Sequence, residues 1–235
     1  MVSGIFTGSS VVILDPADGG KIYSMGYYGR PISVYKPKEK NIFSELELSP
    51  VEALYLAKLG LLEVRRGETV LDPDELKREL TIGVHNFSEL YAVYKDLKDK
   101  GYIVKPGMKF GADYAVYEHG PGIDHAVFLV HVVMAAEAFE PSDIVRAGRL
   151  SHGVRKRFVI AHANLAADKV DYVVLRWVKP RAAAFLGSRE DVFLHSTPAL
   201  LPARSIASRF STSLSLYYMR SVSIAGISSR TLCLG

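Results

Sequence analysis

The sequence predicts an α/β (α+β) protein, with a small N-terminal α/β unit over residues 1–84 and a mixed-sheet domain over residues 85–180. Three observations predict it. Two similar helix-start signals, Ser49-Pro50-Val51-Glu52 and Asp72-Pro73-Asp74-Glu75, lie among short apolar runs in the first unit. Residues 85–180 run helix, strands, helix, strands, as judged by apolar spacing. Beyond Pro180 the composition changes abruptly: residues 181–235 hold 11 Ser and no Lys, against 10 Ser and 14 Lys before them.

Taken in order, Ser10 to Leu14 reads as a short strand that ends in a hairpin turn, Asp15-Pro16-Ala17-Asp18-Gly19-Gly20. Ser49 can cap a helix whose first turn accepts Pro50 and whose Glu52 sits at the capping-box position. Val51, Leu54, Tyr55 and Leu59 follow at helical spacing and Gly60 stops the run. A second helix starts at Asp72 and runs to about Leu80. A third spans about Ser88 to Lys100, with Leu90, Val93, Tyr94 and Leu97 on one face and Gly101 at its end. Strand-like segments follow at Tyr102–Val104, Lys109–Tyr117 and Ala126–Met134. Ser142 caps a helix through about Ser151, and strands are expected at Arg157–Ala163 and Val170–Trp177. Pro198 and Pro202 interrupt the last segment, where apolar residues keep no period. Residues 181–235 are therefore expected to be a disordered Ser/Arg-rich tail, or residues outside the fold.

Bulk properties exclude several classes. No basic start with a long apolar core marks a secretory signal, and no apolar run reaches the roughly 18 residues of a membrane helix. The single Cys233 excludes an internal disulfide and argues against a cysteine-rich metal site, so a reduced, cytoplasmic protein is expected. The net charge of +4 resides wholly in residues 181–235, which carry six Arg and two acids; residues 1–180 balance 23 basic against 23 acidic side chains. An RNA-binding argument must therefore rest on where charges sit.

Two segments carry the chemistry. The first is Lys109-Phe110-Gly111-Ala112-Asp113-Tyr114-Ala115-Val116-Tyr117, followed by Gly120-Pro121-Gly122-Ile123-Asp124-His125 and an apolar strand. The second is Arg146 to Arg157, with Val154-Arg155-Lys156-Arg157 leading into Phe158-Val159-Ile160-Ala161. Both resemble the catalytic domain of archaeal tRNA-splicing endonucleases. The resemblance extends to Ser49–Leu56, Val93–Leu97, Gly101–Lys105 and Val178-Lys179-Pro180, so it spans residues 45–180 in the family's order. It implies a restriction-endonuclease-like catalytic domain, a triad on Tyr117, His125 and Lys156, and cleavage of precursor tRNA at bulge-helix-bulge junctions. Neither metal nor cofactor is implied.

The residue types suit that reaction. Attack by the RNA's own 2′-hydroxyl needs a proton acceptor, a proton donor for the departing 5′-oxygen and a cation for the phosphorane. An imidazole titrates near pH ~6.5, which suits His125 to the acid role. Lys156 would bring fixed positive charge to the transition-state oxygens. Tyr117 is a weak base, since a phenol titrates near ~10, although a nearby Lys156 cation would favour tyrosinate. Positioning of the 2′-hydroxyl is its rival role. Tyr114 competes with Tyr117, and His119 and His131 compete with His125; His131 lies in an apolar run and reads as a satisfied core histidine.

Arg146, Arg149, Arg155, Lys156 and Arg157 place five positive charges in twelve residues with no acid, a patch suited to phosphates. The resemblance puts Arg149 at a position that grips a bulged intron base, with Arg176 as the candidate for its companion. Two departures stand out: the loop between Tyr117 and His125 is about two residues shorter than the family's, and the turn Asn164-Leu165-Ala166-Ala167-Asp168-Lys169 holds one acid and one lysine. In the family's homotetramers that turn is acidic and docks on the opposing dimer, so a heterotetramer with a separate structural subunit is favoured over a homo-oligomer. A non-catalytic structural subunit is the runner-up, and the presence of all three triad residues argues against it. A metal-dependent nuclease would need clustered carboxylates, and no Asp…Glu-x-Lys arrangement occurs in the strands.

Overall fold

The computed structural model describes residues 1–134 apart from 36 and 38, then 157–177, 218–224 and 227–234, with side chains described through residue 174. Two mixed sheets organise these residues. The first is built from β1 (Val2–Phe6), β2 (Val11–Ile13), β3 (Arg30–Pro31), β4 (Leu46–Leu48), β5 (Leu62–Arg66) and β6 (Thr69–Leu71), in the order β3-β4-β2-β1-β5-β6. Helices α1 (Pro16–Gly26), α2 (Pro50–Lys58) and α3 (Pro73–Gly83) accompany it.

The segment expected as a hairpin turn at Asp15–Gly20 is instead the start of α1. Asp15 caps it, its carboxylate accepting from the amides of Ala17 (2.8 Å) and Asp18 (3.0 Å), and Pro16 fits the first turn. Gly19 and Gly20 serve close packing rather than turning. A Cβ on either would lie 2.2 Å from the Ser44 carbonyl oxygen or 2.0 Å from that of Ile42. The α2 and α3 starts agree with the sequence reading. The Glu52 carboxylate accepts from the Ser49 amide at 3.0 Å, and Asp72 caps α3 through the amides of Asp74 and Glu75.

Helix α4 (Phe87–Asp99) leads into the second sheet: β7 (Ile103–Pro106), β8 (Tyr114–Tyr117), β9 (Phe128–Val133), β10 (Arg157–Asn164) and β11 (Lys169–Trp177). The segment 109–117 is strand only in its second half, because Met108–Phe110 forms a 3-10 turn that Gly111 closes at φ 70°. Strands β9 and β10 run parallel, while β7–β8, β8–β9 and β10–β11 are antiparallel. One face of this sheet joins α4 in the main core, where Tyr94, Leu97, Val116, Phe128 and Val130 are fully buried. The opposite face carries a smaller cluster around Ala115, Leu129, Phe158 and Ile160. Tyr172 of β11 donates to Asp96 of α4 at 2.5 Å, tying the sheet to the helix.

Two further strands lie among the described residues of the segment 181–235. β12 (Tyr218–Ile224) and β13 (Ile227–Leu234) form an antiparallel pair, and β13 runs parallel to β11, making a seven-stranded sheet ordered β12-β13-β11-β10-β9-β8-β7. The physical reason is that strand addition is driven by unpaired backbone groups on the β11 edge, which need no apolar period in the added segment.

A buried ionic junction joins the two sheets. Glu52 of α2 is 2% exposed; its carboxylate accepts from the Gly29 amide at 2.9 Å and lies 3.6 Å from the Lys105 ammonium on β7. Lys105 donates to the carbonyls of Tyr27 and Gly29, both at 2.6 Å. Gly29 holds φ 68° with no space for a side chain, so the loop from Tyr27 to Gly29 is a fixed element of the junction.

Candidate active site

Strand register brings two of the three triad positions to one end of the second sheet. Val116 of β8 pairs with Phe128 of β9, and Phe128 pairs with Arg157 of β10. Tyr117 follows Val116 at the exit of β8, and His125 lies three residues before β9. The Val127 amide donates to the Val116 carbonyl at 2.8 Å, which keeps the chain paired just beyond His125. Lys156 lies outside the described residues, as do Arg146, Arg149, Arg155 and the helix expected from Ser142. Lys156 is nonetheless the residue bonded to Arg157, the first of β10. Arg176 lies in β11, paired through its backbone with Cys233.

Tyr117 is half-buried and packs on the cluster around Ala115 and Leu129. Burial, followed by the nearby Asp124 carboxylate, pushes its phenol above the usual value. Its environment among the described residues therefore favours the protonated form at neutral pH. The rival Tyr114 is buried and donates to the Leu90 carbonyl at 2.9 Å, which makes it a core residue. His125 and His119 are both exposed. His131 is satisfied, as expected, with Nδ1 2.8 Å from Asp113, but about a third of its side chain is exposed (32%) rather than fully in the core. Asp113 also accepts from the Val132 amide at 2.8 Å.

The sequence reading missed Asp124. Its carboxylate accepts from three successive amides of the loop between Tyr117 and His125: Glu118 (3.2 Å), His119 (3.0 Å) and Gly120 (2.9 Å). Its own amide donates back to the Gly120 carbonyl at 3.1 Å. Gly120 at φ 127° has the Tyr27 ring where a Cβ would stand, 2.5 Å away. The loop is thus clamped from within by Asp124 and seated from outside on Tyr27. The only sequence signal was an Asp four residues after a Gly in a Gly-Pro-Gly turn, a common loop composition.

Asp124→Ala should leave three amides without their acceptor and loosen the carrier of His125. A fall in kcat of about tenfold is expected for a misplaced group, with KM little changed. Asp124→Asn should recover part of it. Equal kcat in wild type and Asp124→Ala would show that the clamp does not position the reaction.

A larger cavity of about 910 Å³ lies elsewhere, beside Glu52, Lys105 and β3, and neither Tyr117 nor His125 lines it. Strand register, rather than cavity size, marks the candidate site. Among the described residues, no three His, Cys, Asp or Glu side chains are grouped to hold a metal, and no helix is long and apolar enough to cross a membrane.

Two family models match this architecture. Residues 2–77 match the tRNA intron endonuclease N-terminal domain and residues 87–172 its catalytic C-terminal domain. The chain belongs to the tRNA intron endonuclease family. Among its relatives in this family, the chain is 42% identical to a tRNA-splicing endonuclease of Hyperthermus butylicus over 182 residues, 77% of this chain and all of the relative. It is 42% identical to a tRNA-splicing endonuclease of Saccharolobus islandicus and 39% to one of Saccharolobus solfataricus, each over 76% of this chain and the relative's full length. The first match spans β1–β6, and the second runs from α4 into β11, ending before β12 and β13.

Proposed function

We propose that this chain is the catalytic subunit of a tRNA-splicing endonuclease, a metal-independent tRNA-intron lyase that cuts precursor tRNA at bulge-helix-bulge junctions. The observation that supports it most is the register Val116–Phe128–Arg157, since Tyr117 and His125 adjoin that end of β8 and β9, and Lys156 precedes Arg157 in the sequence. The 2′-oxygen attacks the adjacent phosphorus in line while the P–O5′ bond breaks. The 2′-hydroxyl proton leaves to a base, and His125 protonates the departing 5′-oxygen. Lys156 offsets charge on the phosphorane oxygens. The products are a 2′,3′-cyclic phosphate and a 5′-hydroxyl.

Tyr117 orients the 2′-hydroxyl through its own hydroxyl, because burial and Asp124 oppose formation of tyrosinate. Its service as base would require the Lys156 cation to outweigh both. Arg149, Arg146, Arg155 and Arg176 are the proposed grips on the RNA strand. For assembly, the turn Asn164–Lys169 supplies one acid beside one lysine. Asn164 closes it by accepting from the Ala167 amide at 3.1 Å. Such a turn presents little negative charge for docking, which supports a heterotetramer with a structural endonuclease subunit over a homo-oligomer.

The test is cleavage of a bulge-helix-bulge RNA in EDTA, first by this chain alone and then with a candidate structural subunit added. Cuts with cyclic-phosphate ends in either case support the reading, and their need for the second subunit supports the heterotetramer. Cleavage that depends on added magnesium would overturn the metal-independent mechanism.

A further inference from the structure

A second cavity, of about 330 Å³, opens where the two domains meet, and its lining among the described residues includes Lys40, Lys98 and His119 but no Asp or Glu. Its walls are otherwise largely aromatic and apolar, with Tyr28, Tyr55, Tyr102 and Ile103 among them. This volume falls within the range of roughly 300–1,000 Å³ typical of small-molecule sites. The lysines near the end of α4 are unevenly neutralised. Lys95 pairs with Asp99 and Lys100 with Asp96, whereas Lys98, between them on α4, has neither an ion pair nor a hydrogen bond among the described residues. The Lys98 ammonium instead stands 4.3 Å from the centre of the Tyr28 ring, and Lys40 stands 5.7 Å from that of Tyr27. Burial lowers Lys98 to about 8; Glu52 opposes the shift and Lys105 reinforces it. A partly buried ammonium without a directly bonded anion, facing a cavity whose described lining holds no acid, is a site for an anion.

The position of the cavity indicates whose anion it is. His119 and Ile123 form one wall, and both belong to the loop that runs from Tyr117 to His125. The same loop is seated through Gly120 on Tyr27, another wall residue. We infer that this cavity is a subsite for one phosphate-bearing nucleotide, with Lys98 and Lys40 holding the phosphate and the apolar walls taking ribose and base. The phosphate belongs to the RNA strand being cut, beyond the scissile bond, and the inference in this form rests on the nuclease reading above. Lys98 and Lys40 are binding residues outside the arginine patch of residues 146–157. Filling the cavity would also press on the loop that carries His125.

The experiment compares wild type, Lys98→Gln and Lys98→Arg in the assembled enzyme, cutting a bulge-helix-bulge RNA over a range of salt concentrations. Glutamine keeps most of the stem and removes the charge. Lys98→Gln should raise KM about five- to tenfold, with the effect on KM rather than kcat, and Lys98→Arg should stay near wild type. The slope of log(kcat/KM) against log salt should become shallower by roughly 0.7 to 0.9, the release expected for one phosphate contact. An unchanged KM and slope in an active enzyme would overturn the strand subsite.

A second arm measures the melting midpoint with millimolar adenosine 5′-monophosphate. A rise in wild type that is absent in Lys98→Gln, together with unchanged RNA kinetics, would assign the cavity to a free nucleotide instead and so overturn the RNA source. If wild type leaves RNA intact, the nuclease reading fails on its own. The nucleotide arm then decides the cavity: a Lys98-dependent shift retains a nucleotide site and no shift removes it.

Discussion

His125→Ala should lower the single-turnover cleavage rate of a bulge-helix-bulge RNA by about 10² to 10⁴-fold, the usual contribution of a positioned general acid. The residue is exposed and its side chain makes no hydrogen bond among the described residues, so removing it should leave the fold intact. The melting midpoint is expected to move by less than about 2 °C, since surface substitutions away from special contacts change stability by about 0.5 kcal/mol or less. RNA affinity should also hold, because the imidazole acts on the leaving oxygen in the transition state and contributes little to ground-state binding. A substrate whose 5′-oxygen is replaced by sulfur provides the sharper check. A thiolate leaves without protonation, so wild type and His125→Ala should cut it at similar rates. Equal sensitivity of both substrates to the mutation would remove His125 from the acid role.

Lys105→Ala should produce the largest loss of stability, roughly 3 kcal/mol. The lysine joins three partners that belong to the other domain: the carbonyls of Tyr27 and Gly29, each at 2.6 Å, and the Glu52 carboxylate at 3.6 Å. Its side chain is 17% exposed and that of Glu52 is 3% exposed, so neither water nor salt can readily take the place of the lost cation. The Glu52 charge would keep its bonds from the Gly29 and Ser49 amides but lose its counter-ion. A fall in melting midpoint on the order of 6–12 °C follows for a chain of this size, measurable by circular dichroism. Lys105→Met, which keeps the stem, should lose nearly as much. Pairing it with Glu52→Gln should return part of the stability, since the buried charge is then removed with its partner. Full stability in Lys105→Met would mean that the alkyl stem, rather than the ionic junction, holds the domains.

The junction is also where local reading of the chain reaches its limit. Helices α2 and α3 were legible because capping is a four-residue phenomenon: Ser49 with Glu52 and Asp72 with Glu75 carry their own signal. Strands β9 and β10 were legible because their apolar runs are buried on both faces. Helix α1 was misread because Gly19-Gly20 after Asp-Pro looks the same whether glycine serves a turn or the close approach of residues 42–46. Strands β12 and β13 carry no local signal because their pairing depends on a free sheet edge that no local pattern announces.

For the site, the chain alone determined its three candidate residues and their order, Tyr117, His125 and Lys156, through motifs that are continuous in sequence. It also determined the family, since both domains carry such motifs in register. Tertiary structure decided what surrounds them. The Asp124 clamp consists of backbone amides, which every residue but proline possesses and which therefore leave no mark in a sequence. The raised Tyr117 phenol, the interdomain Lys105 and the cavity at Lys98 arise from burial and from contacts with segments distant in the chain. Electrostatic environment is a property of three-dimensional neighbourhood, and folding alone assembles that neighbourhood.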